Sequence, residues 1–390
     1  MITVAQALEH VFALVAPVDI EEIPLAQAAG RVLARPVSAK RSQPPFAASA
    51  MDGYALKAAE AEPDAMFKVI GEAAAGHAFE GSVGPGQAVR IFTGAPIPDG
   101  ADRVIIQEDV GRTGDLISLN RDMDEGFHIR PAGGDFVEGA TLDAPRRLSP
   151  ANIALMASMN IAHVPVRRRP VVAIIATGDE LVMPGETPGP DQIIASNSFG
   201  LKAMLEAEGA EVRLLPIAKD TVASLKAVFD LAKDADLILT IGGASVGDHD
   251  LVAQVAEDLG MDRSFYKVAM RPGKPLMAGR LGSAAMVGLP GNPVSAMVCG
   301  QIFVVPALRV MLGLEAAPAP RRRGVLAIDI DANGPREHYM RARQTDEGLA
   351  PFGRQDSSLL TILSDAQALV VRPPNDPARK AGDTVEYLPI

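Results

Sequence analysis

The 390-residue chain contains one cysteine, no tryptophan and only 4% aromatic residues, and its net charge of -11 leaves it short of Lys and Arg. A single Cys excludes a disulfide framework and a thiolate zinc site. Cys299 lies in the apolar run 296–305, where a buried, inert thiol is expected. Scarce aromatics mean aliphatic cores and argue against base stacking as a mode of action. The acidic balance disfavours a nucleic-acid or anionic-membrane surface, which needs excess cations. No run reaches roughly 18 uninterrupted apolar residues, so no membrane span is expected. Glu9 and His10 stand where a leader would be basic and then apolar, so no signal peptide is expected and the location reads as cytoplasmic. The six histidines are scattered without a His-Glu-x-x-His motif. Walker-type phosphate loops, dinucleotide fingerprints and nucleophile elbows are also missing.

A chain of this length forms two to four compact units. Residues 1–45 open with an amphipathic stretch at Val4–Val15 and a second helical piece at Leu25–Ala34, followed by an extended, Pro-punctuated segment. Short β-like runs at Phe67–Ile70, Ala88–Phe92, Arg103–Gln107 and Leu116–Leu119, separated by Gly/Pro turns, predict a small β-rich unit over 46–139. Ser149-Pro150 marks a helix start, and residues 140–169 join 1–45 as a helical and linker domain. From 170 to 314 the texture becomes α/β: strand-length runs at Val171–Ala176, Glu211–Ile217, Leu237–Ile241 and Ala285–Leu289 alternate with helical periods at Phe199–Glu208, Val222–Ala232, Leu251–Leu259 and Val294–Leu312. Strict alternation predicts a parallel sheet covered on both faces. A Pro/Ala/Arg linker precedes a last β-like unit over 320–390.

In open α/β sheets ligands bind beyond the carboxyl ends of the strands. Here those ends read Thr177-Gly178-Asp179-Glu180, Lys219-Asp220-Thr221, Gly242-Gly243-Ala244-Ser245-Val246-Gly247-Asp248 and Pro290-Gly291-Asn292-Pro293. One such loop is weak, because Gly and Asp are the default turn residues. Four on one sheet are a stronger signal. Glycines let backbone N–H groups approach an oxyanion, Thr177 and Ser245 add hydroxyls, and the helix opening at Ser196-Asn197-Ser198 presents amides to a phosphate. Asp179, Glu180, Asp220, Asp248 and Asp250 would repel that phosphate unless a divalent cation intervenes, and an oxygen-only donor set suits magnesium. Glu180, Asp220 and Asp248 are the candidate ligands. Taken singly, Asp179 and Asp248 read as solvated turn carboxylates. Lys267, Arg271 and Lys274 supply the opposite charge within a loop broken by Pro272, Gly273 and Pro275, which suits a tetrahedral oxyanion; the plainer reading is a surface basic loop. His249, a lone loop histidine between two aspartates, reads as solvated.

Further segments are Ser49-Ala-Met-Asp-Gly-Tyr-Ala55, Phe92-Thr-Gly-Ala-Pro-Ile-Pro-Asp-Gly-Ala-Asp102 and Arg130-Pro-Ala-Gly-Gly-Asp135, each a turn when read alone. Together with Ala176-Thr-Gly-Asp-Glu-Leu181, Gly242-Gly-Ala-Ser-Val-Gly247, Arg271-Pro-Gly-Lys-Pro275 and Leu289-Pro-Gly-Asn-Pro-Val-Ser295 they make seven ordered motifs. The set resembles the MoeA family, molybdopterin molybdenumtransferases related to gephyrin and Cnx E domains, over essentially the whole chain. The resemblance implies a multidomain fold: a central molybdopterin-binding α/β domain, a β-rich insertion, a helical and extended linker domain and a small C-terminal β-barrel.

It further implies binding of adenylylated molybdopterin and molybdate, divalent-cation-dependent release of AMP, and a homodimer, with molybdopterin adenylyltransferase and apo-molybdoenzymes as implied partners. Implied functional positions are Asp52, Thr93, Arg130 and Asp135, then Glu180, Asp220, Asp250, Lys267, Arg271, Lys274, Pro290 and Pro293, and in the last unit Arg341, Ser357 and Ser358. Two positions depart from the family pattern: Ala47-Ala48 replaces Asp-Asn, and Arg271 replaces Lys, exchanging a point charge for a planar fork. The competing functions are a catalytically silent scaffold of the E-domain kind and a molybdopterin adenylyltransferase.

Overall fold

The computed structural model describes residues 1–242 and 251–390. Its contacts divide the chain into two units: residues 22–29 with 35–165, and residues 1–21 with 30–34 and 166–390.

The first unit is built on a six-stranded sheet, in the order Arg103–Ile106, Gly53–Leu56, Gln87–Ile91, Met66–Ala73, Leu116–Leu119 and Val110–Thr113. Gly53–Leu56 was expected to be part of a turn. It is instead an interior strand with all four residues buried, and a side chain at Gly53 would collide with the Ile105 carbonyl of its neighbour. The helix Pro150–Ser158 starts as predicted: Ser149 and Asn152 form a reciprocal capping box behind Pro150. No helix forms over Leu25–Ala34. A single 3-10 turn, Leu25–Gln27, stops at Ala28, and Gly30 takes a φ of 75° before the strand Val32–Leu33. Left-handed glycine ends the helical path more effectively than the apolar spacing continues it.

In the second unit the α/β sheet runs Glu211–Leu214, Val171–Ala176, Leu237–Ile241, Ala284–Leu289, Met277–Leu281 and Asp262–Tyr266. The first four strands are parallel, as alternation predicts. The last two are antiparallel, so the sheet is mixed; these strands were not anticipated. Alternate residues of each central strand enter opposite cores. Val172 and Ile174 pack with Leu201, Leu205 and Val294 on one face, whereas Ala173 and Ile175 pack with Leu225, Val228 and Val255 on the other. Each fully buried Leu, Val or Ile side chain contributes roughly 1.5–3 kcal/mol. The N-terminal helix Val4–Leu14, capped by Thr3 and Gln6, packs Val4, Ala7, Leu8 and Val11 into the first of these cores.

The run Val294–Leu312 was expected to be one helix. It is two α-helical pieces, Pro293–Cys299 and Val305–Met311, joined by a π turn over Gly300–Val304. By length and composition Pro293–Met311 is apolar enough to cross a membrane, yet most of it is buried in the core.

The C-terminal strands Arg322–Val325, Thr384–Pro389, Ala368–Arg372, Glu337–Thr345 and Gly348–Pro351 follow one another as neighbours. A bridge between Leu326 and Leu349 closes them into a small barrel filled by Ala342, Val370, Val385 and Tyr387. Met270–Arg271 adds a parallel strand along Glu337–His338.

Candidate functional site

Strand pairing gathers the described parts of all four marked loops at one edge of the α/β sheet. Thr177 donates its backbone N–H to the Ile241 carbonyl at 3.0 Å, and its hydroxyl reaches the same oxygen at 3.4 Å. The Gly178 N–H donates to Ala218, and the Gly242 N–H to Leu289. Glycine is needed at two of these points. At Gly242, φ 95°, a Cβ would sit 2.7 Å from the Thr177 carbonyl oxygen, and at Gly178, φ 148°, it would strike the Glu180 carboxylate. Thr177 is almost fully buried, so it serves the loop framework more than an open surface.

The acidic residues share one turn region. Asp220 donates its backbone N–H to Asp179 Oδ1 at 3.2 Å. Partial burial, and then the charges of Asp179 and Glu180, raise the Asp220 pKa above the usual carboxylate range. The Asp220 carboxyl thus feels the like charges of Asp179 and Glu180 across neighbouring loops. Among the described residues no group of three His, Cys, Asp or Glu could hold a metal ion by itself, so Glu180 and Asp220 would supply only part of the oxygen donor set that a divalent ion prefers. The remaining predicted donors, Asp248 and Asp250, lie outside the described residues, as do Gly243, Ser245, Gly247 and His249.

Beside this edge lies a cavity of about 350 Å³ bordered by Glu180, Ser196, Asn197, Gly291, Asn292 and Ser358. The helix Asn197–Ala207 opens without a side-chain cap from Ser196, whose hydroxyl instead bonds Asn197 at 3.3 Å. The amides of the first turn thus keep no side-chain acceptor. Asn197 Nδ2 donates to the Gly291 carbonyl at 2.8 Å, tying the helix opening to the fourth strand loop. Pro290 is buried at the strand end, and Pro293 begins the following helix. A second cavity, about 480 Å³, continues behind Ser196 and Asn197, walled by Met204, Met297 and Leu369.

The last unit contributes more directly than sequence spacing indicates. Asn292 Nδ2 donates to Ser357 Oγ at 3.0 Å, and the Val294 N–H donates to the Ser357 carbonyl. Asp356 accepts from the Ser358 amide and hydroxyl, which hold its carboxyl below its ordinary value. Arg341 is buried to 1% exposure and is held by Gln355 Oε1 and the Leu359 carbonyl. Gln355, which sequence spacing did not single out, accepts from both the amide and the Nε of Arg341.

Lys267 and Lys274 lie outside regular structure, as predicted, whereas Arg271 ends the short strand Met270–Arg271 rather than standing in the loop, because its backbone pairs with His338. Lys267 takes a φ of 72° and places its ammonium 4.8 Å from the centroid of the Tyr266 ring. At Gly273, φ 113°, a Cβ would come within 2.5 Å of Cys299 Sγ, so the loop rests against the buried cysteine. Burial drives the Cys299 thiol pKa far up, consistent with an inert thiol.

The β-rich unit holds its own constellation. Asp52 Oδ1 accepts from the Thr93 amide and the Thr93 hydroxyl, both at 2.7 Å, and these bonds hold the carboxyl below its usual value. Arg90 stacks over Tyr54 and Phe92 and donates to the Gly53 carbonyl, adding positive charge nearby. Ile129–Arg130 pairs with Ala48–Ser49, the segment leading to Asp52, whereas the backbone of Asp135 is bonded to Gln43 instead. Arg130 and Asp135 are both exposed.

Residues 2–160 match the region described as MoeA N-terminal region (domain I and II), residues 173–310 the "probable molybdopterin binding domain", and residues 323–390 the MoeA C-terminal region (domain IV). The chain belongs to the MoeA family. Membership makes it an enzyme of molybdenum-cofactor biosynthesis. It is 37% identical to molybdopterin molybdenumtransferase 2 of Mycobacterium tuberculosis (strain CDC 1551 / Oshkosh), over 89% of each chain. It is 35% identical to the molybdopterin molybdenumtransferase of Bacillus subtilis (strain 168), over 95% of this chain and 90% of the relative. Its fold is similar to the crystal structure of a molybdopterin biosynthesis MoeA protein from Pyrococcus horikoshii, at 30% identity, a TM-score of 0.86, and coverage of 100% of this chain and 99% of that one.

Proposed function

We propose that the chain transfers molybdenum from molybdate to the dithiolene of adenylylated molybdopterin, with divalent-cation-dependent cleavage of the phosphoanhydride and release of AMP. The observation that carries this reading is Asp220 standing under the like charges of Asp179 and Glu180 beside glycine-lined strand ends. Glu180 and Asp220 would hold magnesium together with Asp248. When bound, the ion supplies Lewis-acid polarisation and charge neutralisation at the phosphates. The chain positions the rest: the Asn197 helix opening and the backbone of Gly178, Gly242 and Gly291 orient phosphate oxygens. Lys267, Arg271 and Lys274 receive the molybdate dianion, with Arg341 and Ser357 behind them. The Met-walled cavity offers an apolar surface for a flat heterocycle. Sulfur ligands for molybdenum come from the pterin, so one buried Cys is sufficient.

Asp52, held ionised by Thr93, supplies the constellation of the β-rich unit. From the family resemblance we propose a cytoplasmic homodimer in which one copy's Asp52 constellation serves its partner's strand loops. Mixing inactive Asp52→Asn and Glu180→Ala chains should then restore part of the activity. Mixtures as inactive as either parent would remove the shared site.

The principal test supplies adenylylated molybdopterin, molybdate and magnesium and follows AMP release together with reconstitution of an apo-molybdoenzyme. Absence of AMP under all metal conditions would leave the silent-scaffold reading. Pyrophosphate release from ATP and molybdopterin would instead show an adenylyltransferase.

A further inference from the structure

The open end of the C-terminal barrel encloses a cavity of about 500 Å³, separate from the strand-edge cavity. Its wall follows from strand register. His338 pairs with Arg271 on one side and with Arg372 on the other, so three basic side-chain positions stand in a row across three strands. Arg372 continues the inward-facing set of Ala368 and Val370, which are barrel-core residues. Arg372 itself is fully engaged, by Asp376 and by the carbonyls of Asp331 and Pro377. Arg379 shares Asp376, and Lys380 pairs with Asp329.

Two groups on this wall are different. The Arg271 guanidinium makes no ion pair among the described residues, and the His338 ring, 6% exposed, has no hydrogen-bond partner among them. The ring is nine-tenths buried but its nitrogens are not sealed off, so they stay open to a group entering the roomy, polar cavity that His338 borders. Burial first, and then Arg271, Arg372, Arg336 and Arg341, push the His338 pKa down to about 4. The carboxylates facing the cavity are Asp329 and Asp331, with Asp376 behind Arg372. Asp329 and Asp376 are already committed to Lys380, Arg372 and Arg379, so the positive potential around His338 is only partly answered. Barrel mouths are recurrent ligand sites, and this one is rimmed by a residue of the basic loop.

We propose that the mouth of the C-terminal barrel is a tetrahedral-oxyanion site, held by Arg271 and His338, that takes up a proton when the anion binds. Arg271 offers a planar fork to two anion oxygens. An anion placed there replaces the field of four guanidinium groups with that of an opposite charge, and His338 becomes a second donor. Free phosphate and molybdate share this chemistry. Arg271 would then serve both the loop site and the barrel mouth, a role for which a fork suits better than a point charge. The proposal rests on the functional reading only in treating Arg271 as an oxyanion ligand.

The test is NMR titration of the histidine ring resonances of the whole chain, with His338→Gln identifying the His338 signal among the six. In buffer alone that signal should titrate near pH 4. Saturating inorganic phosphate or sodium molybdate should raise its midpoint by about one unit or more, and the anion with the lower half-saturation names the natural occupant. Calorimetry near pH 5, between the free and the raised midpoints, should show proton uptake that depends on the buffer's ionisation enthalpy and disappears in His338→Gln. A His338 midpoint unmoved by both anions overturns the site, whether or not the variant folds, because that measurement uses the unaltered chain. AMP release with an unmoved His338 removes this inference alone. A shifted His338 without turnover removes the transferase reading and leaves the site.

Discussion

The acidic turn at the sheet edge and the basic mouth of the barrel are electrostatic opposites built in the same way. At the first, Asp179, Glu180 and Asp220 crowd together, and burial with like charge raises the pKa of Asp220. At the second, burial and four guanidinium groups depress that of His338. Other charged groups are answered by close neighbours. Arg168 grips Asp236 with two bonds of 2.6 Å, which outweigh the partial burial of that carboxyl, and Asp52 receives two donors from Thr93. Unanswered charge is costly to keep, and the acidic turn and the barrel mouth both carry it. Each is short of a counter-ion of defined sign: a cation at the acidic turn, an oxyanion at the barrel mouth.

The largest effect is expected at the acidic turn. Glu180→Ala should lower cation-dependent AMP release by at least roughly a thousandfold while circular dichroism and melting stay unchanged. Turnover within tenfold of the parent chain would remove Glu180 from the site. On the basic side, Lys274→Ala should weaken molybdate binding by about tenfold, the loss expected for one charge-assisted hydrogen bond, as read by equilibrium dialysis. An unchanged affinity would make the loop an ordinary solvated turn.

A smaller effect should appear in stability against pH. His338 has an ordinary value of 6.5 and a folded value of about 4, so between them the unfolded chain binds a proton that the folded chain refuses. Stability is therefore full above pH 6.5 and falls as pH drops through the window towards about 4. The loss is at most about 3 kcal/mol. Denaturant titrations should show this slope flattened in His338→Gln and in the presence of saturating oxyanion. The smallest change is expected for Asp220→Asn, which relieves repulsion at a largely solvated position. Its Tm should rise by roughly a degree in metal-free buffer, and a fall would mean that the carboxylate is already neutralised by the fold.

The α/β strands and their loops were legible because apolar runs and Gly/Asp loop chemistry agree at each strand end. Val171–Ala176 and Leu237–Ile241 appear with the predicted limits. The antiparallel pair Asp262–Tyr266 and Met277–Leu281 was hidden by polar residues and by Gly279, which is required where a Cβ would meet the Asp262 carbonyl. Arg341 was placed among the site residues, but its burial and its dependence on Gln355 were not visible, since they arise from a turn fourteen residues away. His338 gave no signal alone. Alternation along Glu337–Thr345 shows only that His338 and Met340 share a face, not whether that face is a core or a cavity.

Local rules were enough to set the glycine turns at the described strand ends and the capped helix after Ser149, because each depends on a few neighbouring residues. Tertiary structure decided which charges remain unanswered. Asp220 is perturbed by Asp179 and Glu180 across separate strand loops, and His338 by arginines brought together by strand pairing and barrel closure. Desolvation and Coulomb interaction depend on distance and burial, quantities fixed only when distant segments pack.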